Sequence, residues 1–197
     1  SEPPPPPVIE VKEHRSLFMP VPSATTEVLL ATVDRESAAA ALQSISATKL
    51  PNGTLQEVAI LDTNRSQVPF LAYIRNFVTA VAADQMANWF EDDFTAFLYY
   101  DGNGVWPGYV AKVKNGVNLN EVSANISVVE GSDLARFFLS DPGIFGPFKA
   151  GQANGQATRY AVSSLPGTAF DYGIVGNYFV VSTSYSGLKA TLPLLGF

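Results

Sequence analysis

Near the C-terminus, Ser186-Gly187-Leu188-Lys189 has the spacing of a serine nucleophile and a lysine one helical turn later. At the start of a helix that spacing lets the amine share the serine proton, as in serine acyl-transferases of the penicillin-recognising type. The S-D-N and K-T-G elements that accompany such a pair do not occur in the chain. A serine cap with Lys189 in solvent accounts for the same residues. Ser186 and Lys189 therefore stand as the catalytic candidates of an alternative reading only, a serine hydrolase or acyltransferase. Asp101-Gly102-Asn103-Gly104 could open a calcium loop, but the twelfth position is Lys112 where such a loop needs a glutamate. A hairpin turn explains these residues, so no metal and no cofactor is expected. Glu91-Asp92-Asp93 could offer paired carboxylates for work on a sugar, yet adjacent residues at an element junction do not converge on one bond.

Absent residue types exclude more. There is no cysteine, which removes thiol nucleophiles, disulfides and cysteine-ligated metals. The one histidine is His14, so zinc sites with two or three histidines cannot be built within one chain, and a Ser-His-acid triad would have to recruit it from beside a proline tract. Twelve basic against eighteen acidic residues give a net charge of −6. Basic residues gather only at Lys12–Arg15 and at Lys112 with Lys114, and neither makes a phosphate-binding groove, so no nucleic-acid partner is expected. No apolar run reaches the length of about 18 residues that a membrane span needs.

The aromatic residues are a fuller signal. Trp89, Phe90, Phe94, Phe97, Tyr99, Tyr100, Trp106 and Tyr109 crowd one region. Neighbours on a strand point to opposite faces, so part of this set is expected at the surface. Tyr99, Tyr100, Trp106 and Tyr109 are the expected partner-binding residues, a contact patch for protein or glycan. The alternative is an aromatic core under a folded hairpin tip.

Several elements must position these residues. Residues 1–24 read as a proline-rich extended arm, opening with five consecutive prolines that form a stiff rod of roughly 3 Å per residue. Residues 25–197 read as an α+β domain, a mainly antiparallel sheet with helices packed on it, or as two similar lobes. Strands are expected over residues 26–33, 54–61, 94–100, 105–114, 156–164, 169–175 and 178–182, with tight turns at Asp101–Gly104 and Gly176-Asn177. Helices are expected after Asp34, over residues 70–90 with a break near Ala83-Asp84, over 118–129 and 132–139, and from Ser186. Asp34 and Ser184 stand at matching places in two strand-cap-helix runs, which suggests a duplicated unit. Hydrophobic residues make up 47% and charged residues only 15%, enough for a packed interior with apolar surface left over for a partner.

Arg159-Tyr160, Asp171-Tyr172, Gly176-Asn177 and Ser182-Thr183-Ser184 carry a resemblance. The C-terminal third resembles uncharacterised bacterial extracytoplasmic proteins in which a proline-rich linker follows a membrane anchor. The resemblance implies an extracytoplasmic location, at the cell surface or secreted, with an anchor upstream of this chain. The expected function is a non-enzymatic binding or assembly module of a bacterial cell surface, with a protein partner or itself as ligand. The alternative is a self-assembling subunit whose arm residues Val8, Ile9, Val11, Leu17 and Phe18 lodge against a neighbour's sheet edge.

Overall fold

The β-rich runs of the sequence all enter one sheet. In the computed structural model, which describes residues 7–197, the strands are β1 (Thr25–Leu30), β2 (Leu55–Asp62), β3 (Phe90–Asp101), β4 (Gly104–Val113), β5 (Lys149–Ala153), β6 (Gln156–Val162), β7 (Ala169–Val175) and β8 (Tyr178–Ser182). Their order across the sheet is β1-β2-β3-β4-β8-β7-β6-β5. Only β1 and β2 run parallel; every other neighbouring pair is antiparallel. The class is α+β, as the sequence pattern indicates. Apart from Pro7, the expected proline rod lies outside the described residues.

Turn chemistry sets the hairpins. At the β3–β4 turn, Asp101 Oδ1 accepts the backbone N–H groups of Asn103 at 2.8 Å and Gly104 at 3.0 Å. Gly176, at φ 57°, turns β7 into β8. A third hairpin, β5–β6, escapes the strand reading because Lys149–Ala153 has no β-branched or aromatic residue. Its signal is the dipeptide Asn154-Gly155, with φ 49° and 77°, the left-handed pair that a tight hairpin needs.

The helices are shorter than their apolar periodicity suggests. They are α1 (Arg35–Ser46), α2 (Phe70–Ile74), α3 (Ala80–Met86), α4 (Leu119–Asn125) and α5 (Tyr185–Thr191). The break in the 70–90 region comes at Arg75–Thr79, where Thr79 caps α3 by accepting from Ala82 N at 3.2 Å. The helices expected over 118–129 and 132–139 reduce to α4 and two 3₁₀ turns, Ile126–Gly131 and Leu134–Phe137.

Both sheet faces are covered, by different material. On the first face, Val58, Ile60, Phe94, Leu98, Tyr109, Phe170 and Phe179 pack under α1 to α4 and their turns. On the second, Phe97, Val110 and Val180 pack under Leu188 of α5, Leu192 of the closing 3₁₀ turn, and Phe18. Close approach is built in here. The Phe97 ring lies across Gly108, where an added Cβ would stand 2.0 Å from its Cζ. A Cβ on Gly187 would fall 2.9 Å from the hydroxyls of both Ser182 and Ser184, so α5 rests directly on β8.

Two expectations need correction. The strand-cap-helix runs do share a cap geometry: Asp34 accepts from Ser37 N at 2.7 Å and Ser184 from Gly187 N at 2.9 Å. They are not repeated lobes, because β1 is an edge strand with α1 on the first face, whereas β8 is central with α5 on the second. The arm is not free as far as residue 24 either. Lys12 O accepts from Gln67 N at 2.8 Å, Leu17 N donates to Thr95 Oγ1 at 2.9 Å, and Met19 N donates to Leu194 O at 2.7 Å. Phe18 is only 2% exposed and Leu17 half-buried, both in the chain's own core. Neither is available to a neighbour's sheet edge, whereas Val8, Ile9 and Val11 are exposed.

His14 fastens this segment. Its Nδ1 lies 2.7 Å from Asp93 Oδ1 and its Nε2 3.1 Å from Glu57 Oε1. Arg15 N donates to Asp93 Oδ2 at 2.7 Å and Ser16 Oγ to Glu57 Oε2 at 2.8 Å. Two carboxylate partners require both ring nitrogens to donate, so the ring is an imidazolium. Burial of the ring opposes that charge, but the hydrogen bonds to Asp93 and Glu57 outweigh it and lift the pKa to about 9. A triad using His14 as base is thereby excluded, since no ring lone pair remains.

Phe18→Ala is expected to lower stability by about 3 kcal/mol in urea denaturation, while deleting residues 1–11 leaves the midpoint unchanged. The His14 contribution is fully present below its unfolded pKa near 6.5 and is lost as pH rises through about 9. His14→Ala should therefore cost about 1–2 kcal/mol at pH 6, screening allowed for, and little at pH 10 in the same assay.

Candidate functional site

The two sites marked in the sequence do not form. In the hairpin, Tyr100, Trp106 and Tyr109 are 2%, 7% and 2% exposed, and Tyr99 is half-buried beside α5. Their polar groups are satisfied internally. Tyr100 Oη donates to Gln56 Oε1 at 2.8 Å, Trp106 Nε1 donates to Asp101 Oδ1 at 2.9 Å, and Tyr109 Oη meets Tyr73 Oη at 3.0 Å. Alternation does send neighbours to opposite faces, but β3 and β4 are central strands covered on both. The aromatic hairpin is core and not a contact patch.

Ser186 and Lys189 are both exposed, and among the described residues no hydrogen bond joins them. The cap of α5 is Ser184, and Lys189 Nζ lies 4.7 Å from the centroid of the Tyr185 ring. A lysine committed to an aromatic face in open solvent does not take a serine proton. The Ser182-Thr183-Ser184 run is architectural: Ser182 Oγ donates to Ser184 O at 2.8 Å and Thr183 Oγ1 to Pro107 O at 2.6 Å.

The remaining resemblance residues prove to be cross-strand partners. Arg159 pairs with Tyr172 in the β6–β7 register, and Tyr160 pairs with Asp171. Successive residues face opposite sides, so the two pairs serve opposite faces. On the first face, the Arg159 guanidinium and the Tyr172 hydroxyl both donate to Glu130. Partial burial raises the Glu130 pKa, but these bonds outweigh it and leave the group below its ordinary value.

On the second face the other pair borders a cavity of about 380 Å³, lined by Gly151, Gln152, Thr158, Tyr160, Val162, Ala169, Asp171 and Tyr185. The floor is β5, β6 and β7, and one wall is the start of α5. The Tyr185 hydroxyl crosses to β5 and donates to Gln152 O at 3.0 Å. Gly151 is the residue that admits Tyr160, since a Cβ there would stand 2.7 Å from the tyrosine ring. A second hollow of similar size adjoins the first, sharing Val162, Ala169 and Tyr185.

Asp171 is the exceptional group. It is 2% exposed, and among the described residues its Oδ2 has no hydrogen-bond partner. Burial without a compensating charge pushes its pKa from 3.8 to about 7. A buried unpaired carboxyl is costly, and such groups gather where a chain binds or reacts. In the sequence Asp171 stands out only as part of the resemblance, not as a site residue. The visible signal was a lone acid inside the apolar strand "AFDYGIV", at a position that alternation assigns to an interior face.

Comparison of the chain with protein-family models, with curated proteins and with solved structures gave no match. Its chemistry is therefore argued from this geometry. No cluster of histidine, cysteine and acidic residues among the described residues is arranged to hold a metal, and no helix among them is long and apolar enough to cross a membrane.

Asp171→Asn tests the burial directly. At about pH 3.5 and below the acid is mostly protonated in both the folded and the unfolded chain. As pH rises towards 7 the unfolded chain ionises first and the fold loses stability. The variant should match the parent at pH 3.5 and exceed it by about 2–4 kcal/mol at pH 8, read by thermal or urea unfolding.

Proposed function

We propose that this chain is a non-enzymatic binding module of a bacterial cell surface, which receives a protein partner on the uncovered part of its second sheet face, over β5, β6 and β7. The observation that carries this reading is the unpaired Asp171 carboxyl at a surface cavity. Val162, Leu165 and Tyr185 add an apolar rim, at 54%, 45% and 43% exposed, and apolar side chains around a few placed polar groups are what a recognition site needs. A binding role is favoured over catalysis because no second carboxylate, amine or nucleophile–base pair lines the cavity. The extracytoplasmic setting rests on the resemblance of the C-terminal third and on the lack of cysteine.

A displayed library of extended peptides, selected on the chain and on an Ala169→Trp variant with a filled cavity, tests this reading. Peptides enriched on the parent and lost on the variant are the expected result. Equal enrichment on both, or none on either, overturns it. Self-assembly through the arm is the second reading, favoured by the exposure of Val8, Ile9 and Val11 ahead of the His14 latch. Sedimentation should return the same protomer count with and without residues 1–11. A larger species lost on deletion would favour assembly instead.

A further inference from the structure

The Asp171 cavity has a more specific chemistry than a general contact surface. Its lining supplies one carboxylate and no cation. Among the described residues, neither the Thr158 nor the Tyr160 hydroxyl has a hydrogen-bond partner, and both groups belong to the same lining as Asp171. The cavity therefore offers acceptors round one negative centre, with aromatic rings of Tyr160 and Tyr185 on its walls. Tyr185 already receives an ammonium on its ring, from Lys189 at 4.7 Å. The nearest basic groups on surrounding elements are Lys149, two residues before Gly151 on β5, and Lys189 on α5. Neither forms a salt bridge with Asp171.

The geometry points to a receptor site for a primary alkylammonium group, carried by a free alkylamine or by a lysine side chain, with Asp171 as counter-ion. This rests on the binding reading above and names what that surface recognises. A lone carboxyl beside the Tyr185 ring suits a single compact cation on an alkyl stem. About 380 Å³ is ample for a four-carbon stem with its charged head. Tyr185 forms one wall of the cavity, held by an exposed hydrogen bond to Gln152 O. An incoming ammonium holds Asp171 ionised, so binding should release a proton and tighten as pH rises from 6 to 8. The other titratable groups on the elements around the site are Tyr160 on β6, Tyr185 and Lys189 on α5 and Lys149 on β5.

The test is calorimetric and NMR titration of the whole chain with n-butylammonium, n-butanol, and blocked lysine with a free or an acetylated side-chain amine. Butylammonium and free-amine lysine should bind, with a shift of the Asp171 and Tyr185 resonances. Butanol and acetylated lysine should bind at least tenfold more weakly, as should both amines to Asp171→Asn. Tighter binding of the blocked lysine assigns the site to a protein side chain; tighter binding of butylammonium assigns it to a free amine. Affinity unchanged in Asp171→Asn, or butanol binding as well as butylammonium, overturns the inference. Ala169→Leu, which narrows the cavity and spares the carboxyl, is a second variant expected to lose binding. If selected peptides need an open cavity but carry no lysine, and the amines do not bind, the ammonium chemistry fails while the binding surface stands.

Discussion

The pairing of β4 with β8 organises the rest of the molecule. It joins the four strands of the first half of the chain to the four of the second, and it places Gly108 opposite Ser182 with Phe97 laid over the glycine. That close approach lets α5 rest on β8 through Gly187 with nothing between. A thicker residue at either glycine would lift a ring or a helix off the sheet and open the smaller core. Because β3 and β4 end up central, their aromatic side chains are buried on both faces, with Tyr99 alone half-buried.

Coverage of the second face is nevertheless incomplete. The His14 segment covers it over β2 and β3, and α5 with the closing turn covers the centre. At the β5–β6 hairpin, α5 makes contact at the turn, where Ala153 packs into the smaller core and Asn154 donates to Lys189 O at 3.3 Å, and through the Tyr185 hydroxyl. Asp171 lies at that boundary, close enough to α5 to be dehydrated and too far from any cation to be paired. The two ends of the face thus treat charge in opposite ways. At one end an imidazolium is locked between two carboxylates; at the other a carboxyl is left uncompensated beside a cavity. The first contributes stability and the second costs it, and an uncompensated cost of that kind is what a bound cation would offset.

Much of the framework was legible locally. Asp101–Gly104 read as a turn because an aspartate there accepts the N–H groups that follow it, Gly176-Asn177 because few residues other than glycine accept a φ of 57°, and Asp34 read as a helix cap because its side chain reaches the third N–H beyond it. Asn154-Gly155 carried an equally strong turn signal, but the featureless strand before it hid the β5–β6 hairpin and with it the cavity floor. The candidate site was far less legible. The aromatic residues were visible as a cluster, yet whether they face solvent depends on what covers each face. Ser186 and Lys189 have the right spacing, yet their environment is open water.

By itself, then, the sequence determined the α+β class, most strands and turns, the cap of α1, and the exclusion of thiol and cysteine-metal chemistry. Those follow from backbone preference, short-range hydrogen bonds and the presence or absence of a residue type. Tertiary structure alone decided that the arm is latched by His14 to an acid 79 residues away, and that the hairpin aromatics are core. It alone decided that Asp171 is buried without a partner. Charge pairing and burial depend on which distant strands lie side by side and which helix covers them, and no local spacing encodes that.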